Sequence, residues 1–131
     1  MSAILNISPE SDFNLAEIVE QGIPTDSISC LRENGLTFSE VASIVISPHT
    51  LKHRKARGEN LSNEETERAL RVGRILAHSE QVLGNRDKAL LWLRTSDDRL
   101  NNRTPLSMLG TEAGGRLVES MLWQIDDGIY G

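Results

Sequence analysis

One short stretch gathers most of the residue types that could do chemistry. In PHTLKHRKAR (48–57), His49, Thr50, Lys52, His53, Arg54, Lys55 and Arg57 bring four fixed cations, two imidazoles and a hydroxyl together with no acid among them. Such a set suits phosphate oxygens and base edges, and the histidines add charge below neutral pH. His49 and His53 also have the i, i+4 spacing of a metal pair. No carboxylate or cysteine in the same stretch completes a ligand set, so no metal is expected there. GTEAGG (110–115) has glycines but neither a preceding strand nor a Gly-Lys-Ser/Thr ending, which argues against a phosphate cradle. Asp97-Asp98 reads as a solvated loop and Asp126-Asp127 as a helix end. With no nucleophile beside a base and no working pair of carboxylates, no catalytic residue and no cofactor are expected, and the chain reads as a non-enzyme. Asp126-Asp127 is still unusual, because acids at a helix C-terminus oppose the macrodipole by a few tenths to about 1 kcal/mol each. A basic partner surface would relieve that cost.

The elements that must carry these residues are helical throughout. Start signals recur along the chain and no period-two alternation is long enough for a sheet, so the fold class is all-α. A helix capped by Asp12 is expected over about 14–21. A second runs from Thr25 or Asp26 to Asn34-Gly35. Thr37 and Glu40 have capping-box spacing before EVASIVI, and Ser47-Pro48 supplies a cap followed by proline in the first turn. Two short helices across a tight connection, the second cationic, have the layout of a helix-turn-helix. On the second helix His49, Lys52 and His53 share a face with Arg57. Thr50, Arg54 and Lys55 are placed to reach a backbone phosphate, and Leu51 anchors the helix inward. The plain alternative is a solvated basic face. About four phosphate contacts per copy would give a salt-sensitive grip, with log affinity falling by roughly 0.9 per contact against log salt. A useful repressor would then be a dimer reading two half-sites.

Gly58 ends that helix, and a second capping box, Ser62 with Glu65, opens a long helix over about 63–83 whose buried face carries Leu70, Ile75, Leu76, Val82 and Leu83. A helix over 86–94 precedes a polar loop to about 103, Thr104-Pro105 starts a brief helix to Leu109, and Thr111 caps a last helix over 112–127. Leu117, Val118, Met121, Leu122 and Ile125 form its apolar stripe. Gly114-Gly115 in that helix costs up to about 1 kcal/mol per residue relative to alanine. The pair therefore points to close backbone approach or a late helix start.

Composition narrows the function classes. The chain has 131 residues, 38% hydrophobic and 25% charged, with five aromatic residues and one cysteine. That suits a small folded chain with an aliphatic core and excludes an aromatic stacking platform for single-stranded nucleic acid. Cys30 alone closes no intramolecular disulfide. Together with an N-terminus unlike a signal peptide and no apolar run near membrane-span length, it points to a cytoplasmic protein. The net charge of −5 is segregated: residues 1–47 carry −6, 48–57 carry +4 and 58–131 carry −3. A basic island lies between acidic flanks.

The chain also resembles a known family. In the C-terminal half the resemblance rests on ALLWLRT (89–95), the L-x-x-R-T-P-L-x-x-L run from Leu100 to Leu109, and GTEAGGRLVESMLWQIDDGIYG (110–131). In the middle it rests on GLTFSEVASIV, SPHTLKHRKARG and LSNEETERALRVGRIL. These are similar to Xre/MbcA/ParS-like antitoxins, which partner RES-domain toxins. The resemblance implies an Xre-like helix-turn-helix region (1–61) and a small helical toxin-binding domain (62–131) sharing the long helix. It implies an antitoxin that blocks a toxin acting on NAD, by degrading it or using it for ADP-ribosylation, and that often represses its own operon as a dimer.

In such families the C-terminal end approaches or enters the toxin's active-site cleft, which here points to Trp123, Gln124, Asp126, Asp127, Ile129, Tyr130 and Gly131. Asp126 and Asp127 suit arginines that otherwise hold dinucleotide phosphates, and Tyr130 with the terminal carboxylate would fill the cleft. The alternative for Tyr130-Gly131 is a frayed terminus. Met121 joins this set as an interface anchor, while Leu117, Leu122 and Ile125 are assigned to the core. Trp92 matches the family motif but reads as core, and Arg94 either fixes the 95–103 loop or lines the toxin interface. The rival function is a helix-turn-helix regulator whose C-terminal half only dimerises or senses a ligand. A third possibility keeps inhibition and loses DNA binding.

Overall fold

A computed structural model describes residues 4–128. It contains seven α-helices: α1 (Asp12–Gln21), α2 (Asp26–Glu33), α3 (Phe38–Ile44), α4 (Pro48–Arg57), α5 (Asn63–Leu83), α6 (Arg86–Leu93) and α7 (Glu112–Asp126). Two single 3-10 turns, Asp98–Leu100 and Leu106–Met108, fill the α6–α7 connection, and there is no strand among the described residues. The all-α expectation holds. No described helix is long and apolar enough to cross a membrane.

Local chemistry sets most helix ends. Thr37 and Glu40 form the capping box of α3, and Ser62 and Glu65 that of α5, each satisfying two otherwise orphaned backbone donors. Ser47 caps α4 with Pro48 in its first turn, and Gly58 ends it in the left-handed region at φ 65°. At α1 the cap is Ser11 rather than Asp12, its side chain accepting from the Asn14 amide, and the helix starts two residues earlier than expected. Asp12 instead supplies first-turn acidity. Thr25 stands at the start of α2 without making a side-chain cap.

α5 is the central post. It packs against α6, α7, α1 and α2. Its core side is built from Ala69, Val72, Ile75 and Leu76, all at most 1% exposed, with Leu70 and Val82 only partly buried. Each large apolar side chain so removed from water stabilises the fold by roughly 1.5–3 kcal/mol. Polar residues also share this surface: Thr66 is fully buried and its hydroxyl accepts from the Ile23 amide at 3.2 Å. The Leu61 amide donates to the Ile23 carbonyl at 2.9 Å, so the entry to α2 and the entry to α5 are joined. Upstream of α1, Ile4 and Leu5 are buried in the same core, and Asn34 Nδ2 donates to the Ile4 carbonyl.

The two adjacent glycines of α7 report a close approach. A Cβ on Gly114 would collide with the Met108 carbonyl oxygen, and one on Gly115 would lie 2.7 Å from Arg71 Cδ. The helix nonetheless starts at Glu112, capped by Thr111, so a late start is not the reason for the pair. The buried arc of α7 runs through Gly114, Gly115, Val118, Met121 and Leu122. Leu117 lies about 100° from Val118 around the helix and is exposed, contrary to its expected place in the core. Ile125 is on the right arc but only half-buried, near the C-terminal end of the helix.

Candidate functional site

α3 and α4 meet across Val45–Ser47, and the turn is pinned from both sides. The Ile46 amide returns to the Val41 carbonyl at 3.2 Å, and Arg68 Nε of α5 donates to the Val45 carbonyl at 2.8 Å. Leu51 packs against the core as expected, which turns the opposite side of α4 to solvent. On that side lie His49, Lys52 and His53, all exposed, with the two imidazole centroids 4.6 Å apart. Lys55 and Arg57 are exposed on the flanks, and Thr50 is half-buried, its amide donating to the Ser47 hydroxyl and its own hydroxyl accepting from Ser47.

Arg54 departs from its expected role. It is engaged within the fold: Nε donates to Glu65 Oε1 at 2.7 Å, Nη2 to Glu65 Oε2 at 3.3 Å and Nη1 to Glu59 at 3.3 Å. A guanidinium held this way ties α4 to the start of α5, and reaching a phosphate would leave the nearly buried Glu65 carboxylate without its cation. Burial pulls the Glu65 carboxyl upward, but the Arg54 guanidinium and the Ser62 amide outweigh it and hold the group below the usual carboxylate range.

Arg94 is also engaged within the fold. Its Nε and Nη2 donate to the two Glu40 oxygens at 2.7 and 2.8 Å, and Nη2 also reaches the Gly35 carbonyl at 2.8 Å. It therefore fastens the end of α6 to the capping box of α3 rather than fixing the 95–103 loop. The loop holds itself: Asp97 and Arg103 pair as an antiparallel bridge, and Asn101 and Asn102 turn through positive φ. The Arg94 guanidinium is the chief reason that the Glu40 carboxyl lies below its usual range, with the Thr37 amide adding to it against desolvation. Trp92 packs against the core, in line with its expected structural role.

The C-terminal part of α7 separates the expected toxin-facing residues into two groups. Met121 is 4% exposed and belongs to the core, because it lies on the same arc as Val118 and Leu122. It is not a surface anchor. Trp123 is 54% exposed and rests on His78 of α5, with ring centroids 4.7 Å apart. His78 Nδ1 lies 3.0 Å from Glu119 Oε2, and Arg74 approaches the other Glu119 oxygen at 3.5 Å. Gln124, Asp126 and Asp127 are exposed, and the last turn of α7 contains no basic residue. Ile129, Tyr130 and Gly131 lie outside the described residues.

Three features were not read from the sequence. Arg71 is buried, donating to the Leu109 carbonyl at 3.1 Å and meeting Glu112 at 3.4 Å, with its stem against Gly115. The Gly114-Gly115 pair was the visible trace of it. The Arg74–Glu119–His78–Trp123 chain and the Arg94–Glu40 tie join residues more than 40 positions apart, and no local spacing signals them.

Comparison with known proteins gives these surfaces a context. Residues 78–128 match the family model described as the antitoxin Xre/MbcA/ParS C-terminal toxin-binding domain, and residues 15–74 match the antitoxin Xre-like helix-turn-helix domain. The chain is 35% identical to a protein named antitoxin Xre from Pseudomonas putida, over all of this chain and 82% of the relative. It is 28% identical to an antitoxin Xre from Photorhabdus laumondii, over 88% of this chain and 80% of that one. Among solved structures it is similar to a chain of the M. tuberculosis MbcT–MbcA toxin–antitoxin complex, with a TM-score of 0.59 and 21% identity over 82% of this chain and 96% of that chain. At that identity the likeness is one of fold.

Proposed function

The chain belongs to the Xre antitoxin family, and from that premise we propose that it binds and blocks a RES-domain toxin acting on NAD, with the C-terminal end of α7 at the toxin's active site. The observation that carries the reading is the exposed end of α7 in the toxin-binding domain: an indole more than half exposed beside two exposed acids, with no basic residue in that last helical turn. Trp is enriched among interface hot spots, and an acid pair at a helix C-terminus is relieved by partner arginines of the kind that bind dinucleotide phosphates. Gln124 lies on the same exposed end, while Ile129, Tyr130 and Gly131 would extend it into the cleft. Arg94 contributes by holding the toxin-binding part to the helix-turn-helix.

The second role is operator binding by a homodimer through His49, Thr50, Lys52, His53, Lys55 and Arg57. The exposed cationic face of α4, in a chain otherwise acidic, favours it. The test of the leading reading is direct. The protein encoded beside this chain is purified and its consumption of NAD followed, alone and with a stoichiometric amount of this chain. Consumption that stops at equimolar antitoxin is the expected result. A neighbour that leaves NAD untouched, or that this chain fails to inhibit, would favour a regulator without a toxin partner.

A further inference from the structure

Both phenylalanines of this chain lie outside its core. Phe13 is 75% exposed and Phe38 52%, while the buried core is aliphatic. α1 carries the first of them and buries no residue fully. Its Ile18 and Val19 side turns toward the rest of the chain, and it packs on α5, so Phe13 faces the opposite way. Glu17 and Glu20 lie one and two turns further along the same outward face and are exposed. The result is an apolar knob with an acidic surround.

Phe38 lies at the lip of a groove of about 130 Å³ between α2, α3 and α4. Ile28, Val41 and Leu51 line it, and Arg32 and Lys55 flank it, with the Arg32 guanidinium 5.7 Å from the Phe38 ring centroid. This is an apolar socket with a basic surround, opposite in sign to the knob. We propose that α1 of a second copy seats Phe13 in this groove with Glu17 and Glu20 against Arg32 and Lys55, and that the reciprocal contact closes a two-fold dimer. A knob and a socket on each copy satisfy one another when the symmetry closes, and aromatic anchors surrounded by complementary charge are the usual composition of such a contact. Lys55 is on the groove flank of α4, so in the dimer it pairs with the second copy's acids instead of reaching a phosphate, whereas His49, Lys52 and His53 face outward and stay uncovered for DNA. The inference rests on the homodimer reading above and is independent of toxin inhibition.

The test measures the mass of the full chain by light scattering and sedimentation. Wild type is expected to be a dimer, and Phe13→Ser and Phe38→Ser are each expected to raise the dissociation constant at least ~10-fold with helix content unchanged. The variants Glu17→Lys/Glu20→Lys and Arg32→Glu/Lys55→Glu are expected to be monomers that pair when mixed, since each then supplies the charge the other lacks. If wild type is a dimer and Phe13→Ser dimerises as well as wild type, this surface is wrong and the dimer forms elsewhere. A wild-type monomer throughout overturns the dimer reading too. Folded charge variants that stay monomeric when mixed, or a Phe13→Ser chain that remains dimeric but loses the toxin, also overturn the assignment.

Discussion

Replacing Gly114 by alanine sets two effects of opposite sign against each other. Helix propensity alone favours the substitution by about 1 kcal/mol, because glycine is a poor residue in a helix. Against it, the new methyl would overlap the Met108 carbonyl oxygen and lie 2.9 Å from the carbonyl carbon and 3.1 Å from the Thr111 hydroxyl oxygen. Those are backbone and cap atoms, not the free end of a side chain. The 3-10 turn at Leu106–Met108 must move, at the roughly 1–3 kcal/mol typical of overpacking. The Thr111 cap to the Gly114 amide, 3.0 Å long, is strained with it and worth about 1 kcal/mol. The net expectation is a loss of about 2 kcal/mol. Gly110 is the control: an added Cβ there meets nothing within 4 Å, so Gly110→Ala should be neutral or stabilise by a few tenths of a kcal/mol. Urea unfolding of the three chains measures this. A Gly114→Ala chain as stable as wild type would refute the close approach of α7 to the turn before it.

Lys52→Ala should weaken operator binding and reduce the salt slope by roughly 0.9. Arg54→Ala should instead lower the thermal midpoint, because Arg54 serves Glu65 and Glu59; a shift assay and a melt separate the two. Met121→Ala should cost about 2–3 kcal/mol of stability by opening a cavity, while Trp123→Ala should leave stability nearly unchanged and weaken toxin binding at least ~10-fold. Glu40 and Glu65 both have folded carboxyls below the ordinary range. Their stabilisation is therefore complete above the unfolded value of about 4.3 and is lost as pH falls through the folded values. Urea midpoints between pH 7 and 3 should show a shallower acid loss for Glu40→Gln and for Glu65→Gln than for wild type.

Local chemistry was legible in the sequence, and long-range chemistry was not. Both capping boxes, the Ser47-Pro48 start, the Gly58 stop and the span of α5 follow from residues within four positions of one another, and the structure has them all. The charge on α4 was equally plain, but its division was not. Arg54 and Lys55 are adjacent and of one sign, and only the arrival of Glu65 from α5 engages the first and leaves the second at a groove. Met121 and Trp123 are two positions apart, and which of them is core depends on where α5 lies against α7. The apolar stripe of α7 gave the right helix but placed Leu117 inside, because a stripe drawn at spacings of three and four is wider than the contact it makes. Arg94 was open between fixing the 95–103 loop and lining the toxin interface, and no local spacing signalled its tie to Glu40, 54 residues away.

The central claim is that the end of α7 inhibits the toxin, and cutting the chain after Gln124 tests it most directly. The cut removes Asp126 and Asp127 but leaves Trp123, the Arg71 contacts and the whole buried arc of α7 in place. NAD is measured in cells expressing the neighbouring protein alone, with the full chain, and with the cut chain at equal level. NAD should collapse in the first and third cases and be preserved in the second. Preservation of NAD by the cut chain would contradict the claim and place inhibition elsewhere on the toxin-binding domain.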